Sequence, residues 1–187
     1  MLTAHKYPSS YTMQAYYAVY LLNRRDFLEA SFCFSAAALV YHGNSRYLVV
    51  MAAECAALAG RHDVTAEMLN PYLPNAKPDE NKMDRIIVAL VSNALNKNGE
   101  FARALEVASR LPFKGQNLDE VLLLGLSSRA EAKIGLRLFA EAKRDLAKIC
   151  ATDPEFDTIE ELESLLKKAA ADCGDQQNPV QEEGKNE

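Results

Sequence analysis

Histidine, cysteine, serine and carboxylate side chains supply most enzyme chemistry, and their spacing in this 187-residue chain points away from it. The three histidines are His5, His42 and His62. None stands in an HExxH motif or another His/Cys spacing that gathers ligands around one ion, so no metal site is expected. His62-Asp63 beside Arg61 has the makings of a base with an orienting carboxylate. The trio falls at a turn, however, where Asp63 reads more simply as a helix N-cap. Ser92, Ser127 and Ser128 lie within helical stretches, with no GxSxG elbow to activate a hydroxyl. There is no GxxxxGK[ST] or GxGxxG loop to cradle a phosphate. Glu160, Glu161 and Glu163 form a solvated helix face rather than a catalytic carboxylate pair. The expectation is a protein that is not an enzyme and carries no cofactor.

Composition narrows the alternatives. Cys33, Cys55, Cys150 and Cys173 make no CxxC pair. In so large an alanine-rich chain the first three read as buried small hydrophobes rather than a disulfide framework. Net charge is −5 without a basic stripe, and the aromatics are not interleaved with Lys or Arg. Nucleic acid is therefore a poor partner. Residues 1–14 have no apolar core of signal-peptide length, and the longest apolar run, Tyr47–Ala53, is far too short to span a bilayer. Cytoplasmic location without membrane insertion is expected.

The elements that would position any functional residue are helices. Alanine and leucine are abundant, glycine and proline are sparse, and no strand alternation survives anywhere, so the expected fold is all-α. A loose leader (1–10) precedes a helix over 11–23, with Ser9 or Ser10 as cap. Asp26 caps a second helix over 27–42, which Gly43 ends. Asn44 or Ser45 caps a third, to about Ala59. Asp63 caps a short fourth, Val64–Leu69, which Pro71 truncates. After the connector 74–78, Asp79 opens a long helix to Lys97, closed by Asn98-Gly99. Further helices are expected over 101–111, 118–134, 139–152 and 158–171, with a disordered acidic tail from Cys173 to Glu187.

A turn-and-helix pattern recurs in this series. NRRDFLEA, GRHDVTA, NGEFARA and LRLFAEA align on Ala30, Ala66, Ala104 and Ala142, at spacings of 36, 38 and 38. Three residues before each alanine stand Phe27, Asp63, Phe101 and Phe139. Two antiparallel helices joined by a tight turn need a small residue where they cross and an aromatic to plug the turn. Each pair would leave one face bare for the next pair to stack upon.

With Ala18, Leu21, Phe27, Ala30, Phe34 and Ala37 in the first copy and Phe139, Ala142, Leu146 and Pro154 in the last, the chain resembles the tetratricopeptide repeat family over Tyr11–Phe156. It departs in a period above the family's usual length of about 34 and in a clipped outer helix at Asn70-Pro71. The resemblance implies an α-solenoid of four helix pairs (about 11–43, 44–78, 79–117 and 118–156), a capping helix (157–172), and a concave groove lined by the first helix of each pair. NSRYLVVMAAECAALAG and TDPEFDTIEELESLLKK look, more narrowly, like segments of the small tetratricopeptide chaperones of bacterial type III secretion translocators.

The implied function is a non-catalytic adaptor or chaperone that holds an extended peptide or protein segment in that groove. Secretion chaperone, or structural subunit using the convex face, is the alternative, and a homodimer is a further option. Seven of the eight tyrosines, all but Tyr72, lie in the first 47 residues, which directs attention to that end. The candidate partner-binding residues are Tyr16, Tyr20, Asn23, Tyr47, Met51, Asn93, Asn96 and Ser127. Cys55 and Ala89 do not fit the Lys/Arg/Asn clamp by which some family members hold a chaperone C-terminal carboxylate.

Overall fold

The computed structural model describes residues 10–41, 45–113 and 118–175, and among them every regular element is helical. The helices are α1 (Tyr11–Asn23), α2 (Phe27–Val40), α3 (Arg46–Leu58), α4 (His62–Leu69), α5 (Lys82–Lys97), α6 (Phe101–Ala108), α7 (Glu120–Gly135), α8 (Phe139–Thr152) and α9 (Ile159–Asp175). A 3-10 segment, Asn70–Asn75, follows α4 and contains both Pro71 and Pro74.

Four turns join these helices into pairs, and all four have one backbone conformation. Each first helix ends on a residue near φ −85°, ψ 0° (Arg24, Ala59, Asn98, Leu136). The next residue is left-handed: Arg25 (φ 62°), Gly60 (75°), Gly99 (79°) and Arg137 (62°). The residue after that donates its N–H back to the helix it has left. Asp26 reaches the Leu21 carbonyl at 3.0 Å, and Arg61, Glu100 and Leu138 reach those of Ala56, Leu95 and Lys133 at 2.8 Å each. This is the hydrogen-bond signature of a Schellman ending, which satisfies carbonyls that a helix C-terminus leaves open. The second helix then starts two residues beyond the left-handed one in every case.

Counting from the left-handed residue aligns the four pairs. Seven residues before it stand Ala18, Ala53, Ser92 and Ala130, and five residues after it stand Ala30, Thr65, Ala104 and Ala142. All eight are essentially inaccessible to solvent. These are the small residues at which paired helices cross. The second pair therefore aligns on Thr65 and not on Ala66 as expected, and His62, not Asp63, takes the place of Phe27, Phe101 and Phe139. Thr65 serves as a small core residue because its hydroxyl donates to the Ala53 carbonyl at 3.1 Å, or to that of Arg61 at the same distance.

Each helix packs on its successor along the chain, and the alternate helices α3, α5, α7 and α9 also touch in sequence. The core follows this order in three clusters. One joins α1, α2 and α3 around Ala18, Cys33, Phe34 and Cys55, a second joins α3 to α7 around Leu69, Ile87 and Leu95, and a third joins α5 to α9 around Leu126, Ile149 and Leu162.

Several expected helix ends differ. Asp26 holds the N-cap position of α2 without a side-chain cap bond, and its carboxylate lies 3.6 Å from Arg24. Asp63 lies in the first turn of α4 and pairs with Arg61, so it is not the N-cap. Helix α5 opens at Lys82, because Asn81 accepts the Met83 N–H at 2.8 Å; Asp79 lies outside it. Helix α6 stops at Ala108, short of Leu111. Ser10 and Ser45 hold N-cap positions without cap bonds. The expected tail begins within α9, which runs to Asp175. The rest of that tail, the leader through Ser9 and the expected signals at Gly43, Asn44 and Gly115 lie outside the described residues.

A Cβ on Gly60 or Gly99 would meet nothing within 4 Å, so only the backbone conformation argues for glycine there. Gly60→Ala and Gly99→Ala should each lower unfolding free energy by about 1 kcal/mol in urea titrations, the cost of a left-handed L-residue without a clash.

Candidate protein-binding surface

The exposed apolar surface is concentrated at one end. Among the described residues, eleven of the fourteen large hydrophobics with exposed surface lie between Tyr11 and Tyr47. Scattered single residues need no explanation, but a contiguous patch does. Helix α1 carries no charged residue from Tyr11 to Asn23. One of its faces, Gln14, Ala18 and Leu21, is buried. The other carries Met13, Tyr16, Tyr17 and Tyr20, whose spacing puts them on one stripe. Their exposures are 57%, 71%, 41% and 51%. The Tyr17 and Tyr20 rings stack at 6.0 Å between centroids, and Arg24 Nη1 donates to the Tyr20 hydroxyl at 3.0 Å. Helix α2 adds an outer row of Leu28, Phe32 and Leu39.

The eight candidate residues separate into three groups in this geometry. Asn23 and Tyr47 are exposed and Asn93 is half-buried. Tyr16, Tyr20 and Met51 belong to a different face, because Tyr16 and Met51 occupy the same position relative to their turns, nine residues before Arg25 and Gly60. Met51 packs on the core of the first pair, whereas Tyr16 faces solvent. Asn96 and Ser127 are buried. The Asn96 amide donates to the Ser128 carbonyl at 2.6 Å, tying α5 to α7, and the Ser127 hydroxyl turns back to the Leu124 carbonyl at 3.2 Å. Neither presents itself to a ligand.

A second row becomes visible once the turns set the alignment. Six residues before each left-handed residue come Val19, Glu54, Asn93 and Glu131; thirteen before it come Thr12, Tyr47, Ile86 and Leu124. Glu54 was not among the expected residues. Desolvation raises its carboxyl above the usual carboxylate range, and the charge of Glu120 on α7 raises it further. Beside Glu54, burial pushes the Cys55 thiol up to about 11, which makes it inert. Cys33 is buried as expected, whereas Cys150 is only half-buried. At the far end Lys97 Nζ reaches Glu131 at 2.9 Å and Glu161 at 3.2 Å, joining α5, α7 and α9.

Two further polar clusters are structural. The Asp145 carboxylate accepts from Arg129 Nη2 at 2.6 Å and Nε at 2.9 Å, and from Lys133 Nζ at 2.8 Å. Arg129 also lies 4.3 Å from the Phe113 ring. Asp84 is buried between Arg46 and the Lys77 N–H, which fastens α3 and the connector to α5.

A cleft of about 320 Å³ opens between α6, α7 and α9, lined by Phe101, Ile134 and Leu165 together with Arg137, Lys168 and Asp172. Charges of both signs meet there, so no single ligand charge is selected. Among the described residues, no three His, Cys, Asp or Glu side chains are placed to hold a metal ion, and no helix is long and apolar enough to cross a membrane.

No protein-family profile, curated protein or solved structure matches the chain.

Two outcomes follow from the charged groups. Asp145→Ala leaves Arg129 and Lys133 without their carboxylate and should cost about 3 kcal/mol in chemical denaturation. For Glu54 the raised carboxyl means that the folded chain binds more protons than the unfolded chain, from the ordinary carboxylate range up to the raised value. Stability therefore falls as pH rises through that window. Glu54→Gln should raise the melting temperature at pH 7 and leave it nearly unchanged at pH 4.

Proposed function

We propose that the chain is a non-catalytic protein–protein interaction module of the tetratricopeptide kind, an adaptor or chaperone that holds a peptide segment of a partner against the first helices of its pairs. The observation that carries this reading is the stripe that the first helices share: Val19 and, one turn further on, Asn23 on α1, Tyr47 and Glu54 on α3, and Asn93 on α5. The four identical turns and the side-by-side contacts of α3, α5 and α7 support the concave arrangement that such a groove requires.

The chemistry of the row selects an extended segment. Asparagine carries both a donor and an acceptor, matched to the amides of a main chain. Tyrosine offers a broad apolar contact with a polar tip. The desolvated Glu54 carboxyl favours a Lys or Arg on the bound peptide, whose charge would relieve its cost. Asn96 and Ser127 take no part in this reading, since both are buried.

The exposed Leu28, Phe32 and Leu39 on α2 favour a second reading, a structural subunit that docks through its outer face. Affinity capture from the native cell extract, followed by mapping of the held segment, separates the two. Tyr47→Ala combined with Asn93→Ala should weaken capture by at least tenfold with circular dichroism unchanged. Capture that survives this double variant and is lost with Phe32→Glu would reject the groove in favour of the outer face.

A further inference from the structure

Helix α9 opens on a start signal that the structure leaves unused. Thr158, just before the helix, and Glu161, in its first turn, form the T-x-x-E pattern that introduces the apolar series Ile159, Leu162, Leu165 and Leu166. Thr158 holds the N-cap place, since its carbonyl accepts the Leu162 N–H at 3.0 Å. In a capping box the Thr158 hydroxyl accepts the Glu161 N–H, and the Glu161 carboxylate accepts the Thr158 N–H. Neither bond is made here. The Thr158 Oγ1 atom is buried without a partner. The Glu161 carboxylate accepts instead from Lys97 Nζ at 3.2 Å, and the same ammonium reaches Glu131 at 2.9 Å. At the start of α7, by contrast, the Asp119 carboxylate accepts the Leu122 N–H at 2.9 Å, the bond that Thr158 forgoes.

We infer that Glu161 is a two-position latch. In one position, seen here, it ties α9 to Lys97 on α5. In the other it turns back on its own helix, closes the capping box with Thr158 and lets Lys97 go. The two positions are closely balanced. Glu161 is exposed, and an ion pair with an exposed carboxylate is weak. Cap bonds are of the same order. Neither charge is stranded by the exchange. Lys97 keeps Glu131, and the Glu161 carboxylate remains beside the N-terminus of α9, where the helix dipole favours an anion. The buried Thr158 hydroxyl gains the partner that it lacks. Helix α9 stays seated throughout, because Leu162 and Leu166 are buried in the core that it shares with α7 and α8. What changes is the first-helix stripe. Lys97 stands two residues before Gly99, as Asn23 stands two before Arg25, so the second position returns a cation to that stripe with one partner instead of two. The inference rests on the hydrogen bonds at the start of α9 and not on the peptide-binding reading.

Amide hydrogen exchange followed by NMR on the full chain tests it. At low salt the Thr158 and Glu161 amides should exchange fast, as open donors at a helix start do. Lys97→Met removes the ammonium and should slow both amides at least tenfold. Adding Thr158→Val to Lys97→Met takes away the hydroxyl acceptor and should return the Glu161 amide to fast exchange, which a merely structural role for Lys97 would not do. In the unaltered chain, 1 M sodium chloride cuts the screening length to about 3 Å and should slow the same two amides. That measurement stands even where Lys97→Met does not fold. Thr158 and Glu161 amides that stay fast in folded Lys97→Met or in high salt overturn the inference. So does their slow exchange in the unaltered chain at low salt, which would mean that the box is already closed. Loss of protection at Leu162–Leu166 in folded Lys97→Met also overturns it, since Lys97 would then be a fastening that α9 needs and not a position that Glu161 can leave.

Discussion

One backbone geometry, repeated four times, governs the molecule. A helix ends, a single residue turns left-handed, and the next N–H returns to a carbonyl of the helix just left. The bond closes the first helix and fixes the direction of the second. It leaves too little chain for anything but antiparallel packing, so small residues must stand where the helices cross. Ala18, Ala53, Ser92 and Ala130 on one side and Ala30, Thr65, Ala104 and Ala142 on the other meet that demand. The left-handed position is open to more than glycine, and two arginines share it with two glycines.

A pair closed in this way buries one face and leaves another bare, and the bare face drives the next level of structure. Aliphatic and small residues at four equivalent positions seat α3 and α5 on the pairs before them, whereas the same positions on α1 carry methionine and three tyrosines. Polar links then fasten neighbours where apolar contact is thinner. Asn96 holds Ser128 across α5 and α7, Asp145 gathers Arg129 and Lys133 between α7 and α8, and Lys97 bridges to α9.

Much of this could be read from the amino-acid sequence, and the misses have physical causes. The bounds of α1 and α8 follow from local signals, in α8 the Asp153-Pro154 stop. Two adjacent small residues, Thr65 and Ala66, allowed the second pair to be aligned one residue out, and a histidine in the aromatic position removed the marker that would have corrected it. Asp79 carries the chemistry of a cap, but Asn81 lies where the Met83 N–H can be reached. Asn96 and Ser127 looked like groove residues because a polar side chain on an inner helix invites that reading; their burial depends on the neighbouring helix. Glu54 gave no local sign, since its perturbation comes first from desolvation by its folded surroundings and then from Glu120, on a helix far along the chain. The ion clusters at Asp84 and Asp145 depend on such distant pairings too.

The order of packing has a mechanical consequence. The helices are bonded mainly to their nearest neighbours along the chain, and α1 rests almost wholly on α2. Stability in such a chain is a local quantity that varies from link to link, not a property shared evenly by the whole. Opening at the α1 end disturbs one seam and leaves α5, α7 and their partners closed. Amide hydrogens of α1 should therefore exchange through partial unfolding, while those of α5 and α7, held on both sides, wait for the array to come apart.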